Sequence, residues 1–377
     1  MQFSKVIDYE DFYSEELAPY LQAIAKDEMA FFGSKTPTII PDSKNWETAM
    51  ALYSFEKNDI LKEGKLFAGI GAGTEHLTEY LANKGAVVFP TDRYLESTAW
   101  SDVAPGGYMV DASSYARRCL KPENIIPVHS DARALKLPSS FFDGVYSSGS
   151  IEHFGGVDAV EAAAAEIGRI LKPGGIASIS TEFRLDGPEH LAWFDDHCLL
   201  FTPQLLEKHI IKPSGLIPIG VLNNQPSPKT FQTRKELVEF LNSAKTIRSF
   251  EDKVDVYPNL VLFHAGFLFC SVHLLLKKPL DWKPAPTAIA KVESFYKEIE
   301  VNNQIAIRRL GTALSVDDFY ESVSEHNGIK KSRISRALSR INFVLSKKPL
   351  LRRCIVRFLY LIPGVMVYLR RKSKGYC

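Results

Sequence analysis

The chain has 377 residues, 45% hydrophobic and 24% charged, a balance that suits a folded globular protein and excludes a disordered or fibrous one. Its net charge of +2 hides an asymmetry: residues 326–377 hold 14 Lys and Arg and no acid, while the preceding 325 residues carry 32 basic and 44 acidic residues, a net of −12. Five cysteines, Cys119, Cys198, Cys270, Cys354 and Cys377, lie far apart without a Cys-x-x-Cys, which argues against a disulfide framework or a cysteine zinc site. They read as reduced thiols. The first residues lack a basic stretch followed by an apolar one, so no secretory leader is read and the expected location is cytoplasmic.

Residues 1–60 read as a helical lead-in, with apolar spacing through Leu17, Leu21 and Ile24 and again through Trp46, Met50 and Tyr53. Residues 66–75, Leu-Phe-Ala-Gly-Ile-Gly-Ala-Gly-Thr-Glu, pass from an apolar strand through a tight glycine turn into a helix. Gly71 and Gly73 let the backbone turn sharply and let a ligand approach. Leu77, Tyr80 and Leu81 share one face of the helix. A second apolar run over 86–89 ends at Asp92, 21 residues after Gly71. An acid at the second strand's tip of such a β-α-β unit holds a nucleoside ribose in doubly wound α/β folds. The glycines at 69, 71 and 73 do not spell the dinucleotide pattern. Glu75 in the first helical turn would repel a pyrophosphate, whereas it suits a sulfonium cofactor bearing an ammonium and no phosphate.

Residues 93–123 form a long second crossover containing Pro105, Gly106 and Gly107. Residues 125–128 read as a third strand ending at Ser130, Asp131 and Ala132. Residues 141–146 read as a fourth, leading into Ser147, Ser148 and Gly149. A helix over 157–171 places Val157, Val160, Ala164, Ile167, Ile170 and Leu171 on one side and stops at Lys172-Pro-Gly-Gly175. Residues 176–180 are a fifth strand. Thr202 and Pro203 open a helix as N-cap and first-turn proline. Residues 215–219 fit a sixth strand and 266–276 an antiparallel seventh, with a polar, helical insertion over 222–260 between them. Residues 282–287 read as a linker, and helical patterns fill 287–310, 316–325 and 332–346.

In order and spacing, Ile70-Gly71-Ala72-Gly73, Asp92, Asp131-Ala132, residues 142–145, Glu152-His153 and residues 171–175 resemble the class I S-adenosylmethionine (SAM) dependent methyltransferases. The likeness covers roughly residues 45–280 and is closest to bacterial small-molecule and glycan-pathway enzymes. It implies an α/β fold: a doubly wound, seven-stranded, Rossmann-like methyltransferase sheet with a helical N-terminal lead-in (1–60) and a helical C-terminal extension (281–377). The SAM-binding domain would span 61–280, including the 222–260 insertion. The implied cofactor is SAM. Ile70, Gly71, Ala72 and Gly73 would pass under it, and Asp92 would accept both ribose hydroxyls. Asp131 would meet the adenine amino group with the Ala132 amide beside it, and Ser148 and Gly149 would line the methionine side. Two positions depart from the family pattern. The acid usual two residues before the first motif glycine is Gly69 here, and the last motif glycine is Glu75, which is expected to take over the methionine ammonium.

Methyl transfer to a hydroxyl requires an in-line nucleophile and removal of its proton. His153, just after the fourth strand, is the first candidate base; the other reading is that Glu152 and His153 only cap the next helix. His190 and His197, beside Asp195 and Asp196, are further candidates against a solvated polar loop. Glu182 and Arg184 at the fifth strand's tip are candidate substrate contacts, or a structural ion pair. No metal site is expected, since no His-x-x-x-His is present. A nucleic-acid substrate is not expected either: the fourth strand ends in Ser147-Ser148-Gly149-Ser150, without the Asn/Asp-Pro-Pro-aromatic clamp of amino-methylating DNA enzymes.

Near the end, Lys347, Lys348, Arg352 and Arg353 precede a 12-residue apolar run over 358–369 and then Arg370, Arg371 and Lys372. A spanning helix needs ~20 residues. Residues 330–377 therefore fit peripheral contact with an anionic membrane surface, at its inner face, with packing on the core or a partner as the alternative. The expected function is O-methylation of a sugar or related small molecule in cell-surface glycan biosynthesis, with a small-molecule or lipid-linked glycan acceptor. Residues 151–155, Ile-Glu-His-Phe-Gly, are also similar to lipid cyclopropane synthases and related enzymes, so a lipid C-methyltransferase is one alternative. A non-catalytic scaffold of the same fold is another.

Overall fold

The computed structural model describes residues 1–34, 38–96, 98–116, 120–187, 192–194, 198–244 and 247–312. His190, His197 and their neighbours Asp195 and Asp196 lie outside the described residues, as do the helices expected at 316–325 and 332–346 and the basic stretch 330–377. Met1–Tyr94 and Gly106–Ile299 form one compact unit; Leu95–Pro105 groups with the chain from Glu300 onward in a second. Of the second unit, the described residues comprise a turn in which the Thr98 amide donates to Ser101 Oγ, and the distal part of the helix Pro286–Thr312.

The first unit opens with strand β1 (Lys5–Val6), then helices α1 (Ala18–Phe32) and α2 (Ser43–Lys57). Strand β2 (Leu66–Ile70), helix α3 (His76–Asn83) and strand β3 (Val87–Asp92) make the β-α-β unit legible in the sequence. Strands β4 (Val128–His129) and β5 (Phe142–Ser148) follow, then helix α4 (Val157–Ile170) and strand β6 (Leu171–Arg184). Strands β7 (Ala192–Phe194) and β8 (Cys198–Leu200) form a separate hairpin. The unit continues through β9 (Ile217–Pro218), β10 (Arg234–Glu236), β11 (Val261–His264) and β12 (Phe267–Lys277).

The main sheet runs β10-β11-β12-β6-β5-β2-β3-β4, with β1 and β9 also paired to β12. β4, β3, β2, β5 and β6 are mutually parallel and β12 is antiparallel to β6. This is a mixed α/β, Rossmann-like sheet. Strands covered on both faces read as continuous apolar runs, which is why β2 is so plain in the sequence: Phe67, Ala68 and Ile70 are fully buried. Helix α4 is buried on more than its sheet face, because Ala162 and Ala165 pack against Ala288 and Val292 of the helix Pro286–Thr312.

Among the described residues the sheet has ten strands, where seven were expected. The far edge of β12 is shared by three short segments: β11 against residues 267–270, β1 against 272–273 and β9 against 276–277. The sixth strand expected over 215–219 is therefore only the exposed pair Ile217–Pro218. The lead-in, expected to be helical throughout, begins with β1, which docks on the β12 edge before its helices start. Two of its apolar residues, Val6 and Ile7, are essentially buried, and that burial pulls the terminus into the core. The fifth strand starts at Leu171, five residues before the expected start, because Lys172–Gly175 form an irregularity between the Phe142–Leu171 and Gly144–Ile176 pairings.

One buried network matters for the site. Lys5 of β1 pairs with Asp11, and Asp11 Oδ2 accepts from Trp46 Nε1 at 2.8 Å. Trp46 also stacks edge-on against His273 of β12, 6.4 Å between ring centres. These contacts fix α2 on the sheet face. On the same face the hydroxyl of Ser271 in β12 donates to Glu47 of α2 at 2.6 Å, which sets Glu47 near the carboxyl ends of the parallel strands.

Candidate active site

The turn after β2 is built around two left-handed glycines, Gly71 (φ +65°) and Gly73 (φ +48°). A Cβ on Gly71 would come within 2.9 Å of both Ser150 Cβ and the Phe154 ring, so crowding adds to the backbone demand. Gly73 N–H donates to Asp92 Oδ2 at 3.0 Å, and Tyr94 O–H donates to the Gly73 carbonyl at 2.6 Å. The Arg93 amide donates to Asp92 Oδ1 at 2.7 Å. Burial pushes the Asp92 carboxyl upward despite these two bonds. A carboxylate offers about four lone-pair sites. With one backbone donor on each oxygen, Asp92 keeps acceptor capacity for a vicinal diol.

Gly69 has a clear steric reason. The ring of Tyr146, on the adjacent strand β5, lies where a side chain at 69 would go: a Cβ there would stand 2.5 Å from the Tyr146 hydroxyl oxygen. That hydroxyl is anchored by Thr78 Oγ1 at 2.6 Å. The acid usual at this point of the resembling family has no room here.

Glu75 is the N-cap residue of α3, and its side chain does not cap the helix. One of its oxygens, Oε1, is buried with no hydrogen-bond partner. Burial raises its pKa to about 8; Lys44 works against that shift, and Glu47 and Asp92 add to it. Close by, Gly149 (φ +57°) turns the chain after β5, its amide held by the Ser180 carbonyl at 2.9 Å. The next residue, Ser150, donates through its hydroxyl to the Gly71 carbonyl at 3.0 Å and ties this turn to the glycine turn. Glu152 is 1% exposed; its Oε2 accepts from Thr181 Oγ1 at 2.9 Å, while Oε1 has no hydrogen-bond partner and lies 3.7 Å from His153 Nε2.

Glu182 extends β6 past the end of β5, since the last β5–β6 pairing is Ser148–Ser180. It pairs across the sheet with Ser271, so the two side chains share the face that carries α2 and Glu47. Burial raises Glu182 to about 8, with Glu152 and Glu47 adding to the shift and Lys44 opposing it. Arg184, one turn of the pleat further, is buried, donates through Nε to Asp186 at 3.2 Å and lies 4.8 Å from the centre of the Phe267 ring.

The structure thus brings Gly71, Gly73, Glu75, Asp92, Ser148, Gly149, His153 and Glu182 to the carboxyl ends of β2, β3, β5 and β6, where open α/β sheets bind their ligands. Asp131 and Ala132 follow β4 in the same row. Asp131 is held by its own neighbour: Arg133 meets Oδ1 through Nε at 3.0 Å and Oδ2 through Nη2 at 2.8 Å. Burial opposes its ionised form, but the Arg133 guanidinium outweighs that and holds the carboxyl below the ordinary range.

Three participants were not found by reading the sequence: Lys44, Glu47 and Arg133. Lys44 donates to Glu47 at 2.9 Å while its own side chain stays 65% exposed. Partial desolvation of its ammonium end opposes the charge, yet Glu47 and Glu152 outweigh that and raise its pKa. One sequence signal existed. Glu47 is a charge three residues from Met50 and beside Trp46, on the stripe that faces the core.

Residues 68–179 match a family model described as "Methyltransferase domain". Together with the Rossmann-like sheet and the glycine turn facing Asp92, that match decides the class. The chain carries a class I SAM-dependent methyltransferase domain. The cofactor of this methyltransferase is SAM. Among solved structures, the chain is similar to a Burkholderia thailandensis 1,6-didemethyltoxoflavin-N1-methyltransferase with bound 1,6-didemethyltoxoflavin and S-adenosylhomocysteine. The identity is 18%, over 72% of this chain and 92% of that one, with a TM-score of 0.40. It is also similar to Haemonchus contortus phosphoethanolamine N-methyltransferase 2 in complex with SAM, at 18% identity over 73% of this chain and 60% of that one, with a TM-score of 0.41. No curated protein matches the sequence.

The methyltransferase site fits its cofactor on chemical grounds. SAM carries an ammonium and a sulfonium, and the site offers two orphaned buried carboxylate oxygens, Glu75 Oε1 and Glu152 Oε1. A buried carboxylate is costly to ionise, which raises the Glu75 pKa to about 8, and a bound cation beside these oxygens would offset that cost. Among the described residues no cluster of His, Cys, Asp and Glu could hold a metal ion, and no helix is long and apolar enough to cross a membrane.

Proposed function

We propose that the chain transfers a methyl group from SAM to a hydroxyl of a sugar or related small molecule in cell-surface glycan assembly. The observation that carries the acceptor side is Glu182: a half-buried carboxylate on the overhang of β6, with its pKa pushed up to about 8 by burial and by Glu152. A group with a pKa near the working pH suits proton removal from a hydroxyl.

Bound SAM supplies a methyl group on a sulfonium centre. Gly71, Ala72 and Gly73, with Ile70 below them, give the backbone bed for the cofactor. Asp92 accepts from the ribose hydroxyls and Glu75 receives the methionine ammonium. Ser148 and Gly149 border the methionine chain. Asp131 and Ala132 stand at the adenine end, Asp131 already oriented by Arg133. Glu182 takes the acceptor's proton, and His153, 22% exposed beside Glu152, orients the acceptor. The acidic setting of Glu47, Glu152 and Glu182 favours neutral or cationic acceptors at the reacting end over anionic ones.

Two other readings remain in view. The pairing of an orphaned Glu152 Oε1 with His153 supports a lipid C-methyltransferase of the same fold. A non-catalytic scaffold would leave the buried acids unexplained. The run of 14 cations over residues 326–377 supports contact with an anionic membrane surface, where a lipid-linked glycan would be met.

The test is methyl transfer from isotopically labelled SAM to sugar nucleotides and to a lipid-linked glycan fraction. Label recovered as an O-methyl sugar supports the proposal. Label recovered in acyl chains would replace it with the lipid reading. For the surface contact, full-length protein should sediment with phosphatidylserine vesicles at low salt and release as salt rises; indifference to vesicles removes it.

A further inference from the structure

Lys44 holds an unusual station in the site. Its ammonium lies directly above Gly149: a Cβ placed on that glycine would meet Lys44 Nζ first, and Glu152 Oε1 and Glu47 Oε2 at 3.5 Å each. Three charged groups thus converge on the space over one glycine. Glu47 is 2% exposed and Glu152 is 1% exposed, whereas the lysine that balances them is solvent-facing. Glu152 Oε1 has no hydrogen-bond partner, so Lys44 and, if protonated, His153 are the cations beside it. Glu75 and Glu182 lie in the field of the same ammonium.

SAM and its product S-adenosylhomocysteine differ at sulfur, in the transferred methyl and the positive charge, and share their other recognition groups. Discrimination between them is a difference of affinities set by the field at the methionine side of the site. The carboxylates favour the sulfonium; Lys44 opposes it. We propose that Lys44, standing over Gly149 between Glu47 and Glu152, is the counter-cation that sets the preference between the sulfonium cofactor and its neutral thioether product. This rests on the SAM reading of the Gly149 turn. In the wild type, Lys44 tempers an otherwise strongly cation-seeking pocket. Without it, the carboxylate field acts undiminished on the sulfonium, while the thioether feels no change at sulfur. Because the Lys44 side chain is exposed and, among the described residues, hydrogen-bonds to Glu47, its substitution removes a charge without opening the core.

The experiment is titration calorimetry of the full chain, as wild type, Lys44→Met and Lys44→Arg, with SAM, S-adenosylhomocysteine and 5′-methylthioadenosine. The last is a neutral thioether lacking the amino-acid end. The SAM to S-adenosylhomocysteine affinity ratio should rise about ten-fold in Lys44→Met, the order expected for one charge several ångströms away at intermediate dielectric. It should stay at the wild-type value in Lys44→Arg. Affinity for 5′-methylthioadenosine should be the same in all three, which also shows that the site is folded. An unchanged or lower ratio in Lys44→Met overturns the proposal. So does an equal weakening of SAM and S-adenosylhomocysteine, which would mean that Lys44 holds the carboxylate common to both. If the wild type binds none of the three ligands, the cofactor site itself is misread and the proposal falls with it.

Discussion

The ring of Tyr146 occupies the space that a side chain at Gly69 would need; a Cβ there would lie 2.5 Å from the Tyr146 hydroxyl oxygen. Six residues along, Glu75 holds a buried carboxylate whose Oε1 has no hydrogen-bond partner, and we propose that it takes over the role of that acid. Restoring an acid at position 69 should therefore harm the protein. Gly69→Asp should lower stability by about 1–3 kcal/mol, the usual range for overpacking. The double variant Gly69→Asp with Tyr146→Ala should recover part of that loss. Thermal unfolding measures both; a fully stable Gly69→Asp would show that Tyr146 yields easily and that Gly69 has another origin.

Glu75 links cofactor affinity to pH. Its pKa is about 8 in the folded protein against an ordinary value of 4.5. Between these values the folded state holds a proton that the unfolded state has lost. Stability from this group is therefore full below about pH 4.5 and falls as pH rises toward about 8. Glu182 adds a window of the same sign. The melting temperature of ligand-free protein should fall across that range, and Glu75→Gln should flatten the fall and melt higher near pH 8. The same variant should bind SAM and S-adenosylhomocysteine more weakly, since both carry the ammonium. A variant that binds both normally would reduce Glu75 to a carboxylate favoured at a helix start.

The glycine turn and Asp92 were readable in the sequence as neighbours. Gly71, Gly73 and Asp92 lie within one β-α-β unit, so spacing alone brings them together. The helix expected over 157–171 is there but ends at Ile170, with Leu171 already in the next strand. The acceptor half of the site was not readable. Lys44 and Glu47 reach the strand ends only because α2 is pinned by Trp46, Asp11 and Ser271, contacts from β1 to β12 that no local pattern encodes. Likewise the three strands beyond the expected seven, β1, β10 and β11, are each too brief to show periodicity. His190 and His197 lie outside the described residues, so these two candidates remain as the sequence left them.

Glu182 and His153 can be told apart by kinetics on an accepted hydroxyl. If Glu182 is the base, kcat/KM should rise with pH toward a limb near its pKa of about 8. Glu182→Gln should cut turnover by about 100-fold or more and abolish that limb. His153→Ala should lower turnover with SAM affinity nearly unchanged. A Glu182→Gln enzyme that keeps this rise with pH would hand the proton to another group. A His153→Ala enzyme that loses cofactor in step with activity would make the histidine structural.

The most direct test of the whole account is SAM binding by titration calorimetry to the wild type and to Asp92→Asn. The asparagine keeps an acceptor for the Gly73 amide, so the turn should survive while the charge-assisted ribose bonds are lost. Hydrogen bonds to charged groups contribute about 1.5–3 kcal/mol each. The account predicts one SAM per chain in the wild type and an affinity at least about ten-fold lower in Asp92→Asn, which should stay folded although its NH2 replaces the acceptor of the Arg93 amide. A wild type that does not bind SAM, or an Asp92→Asn variant that binds it undiminished, would contradict it.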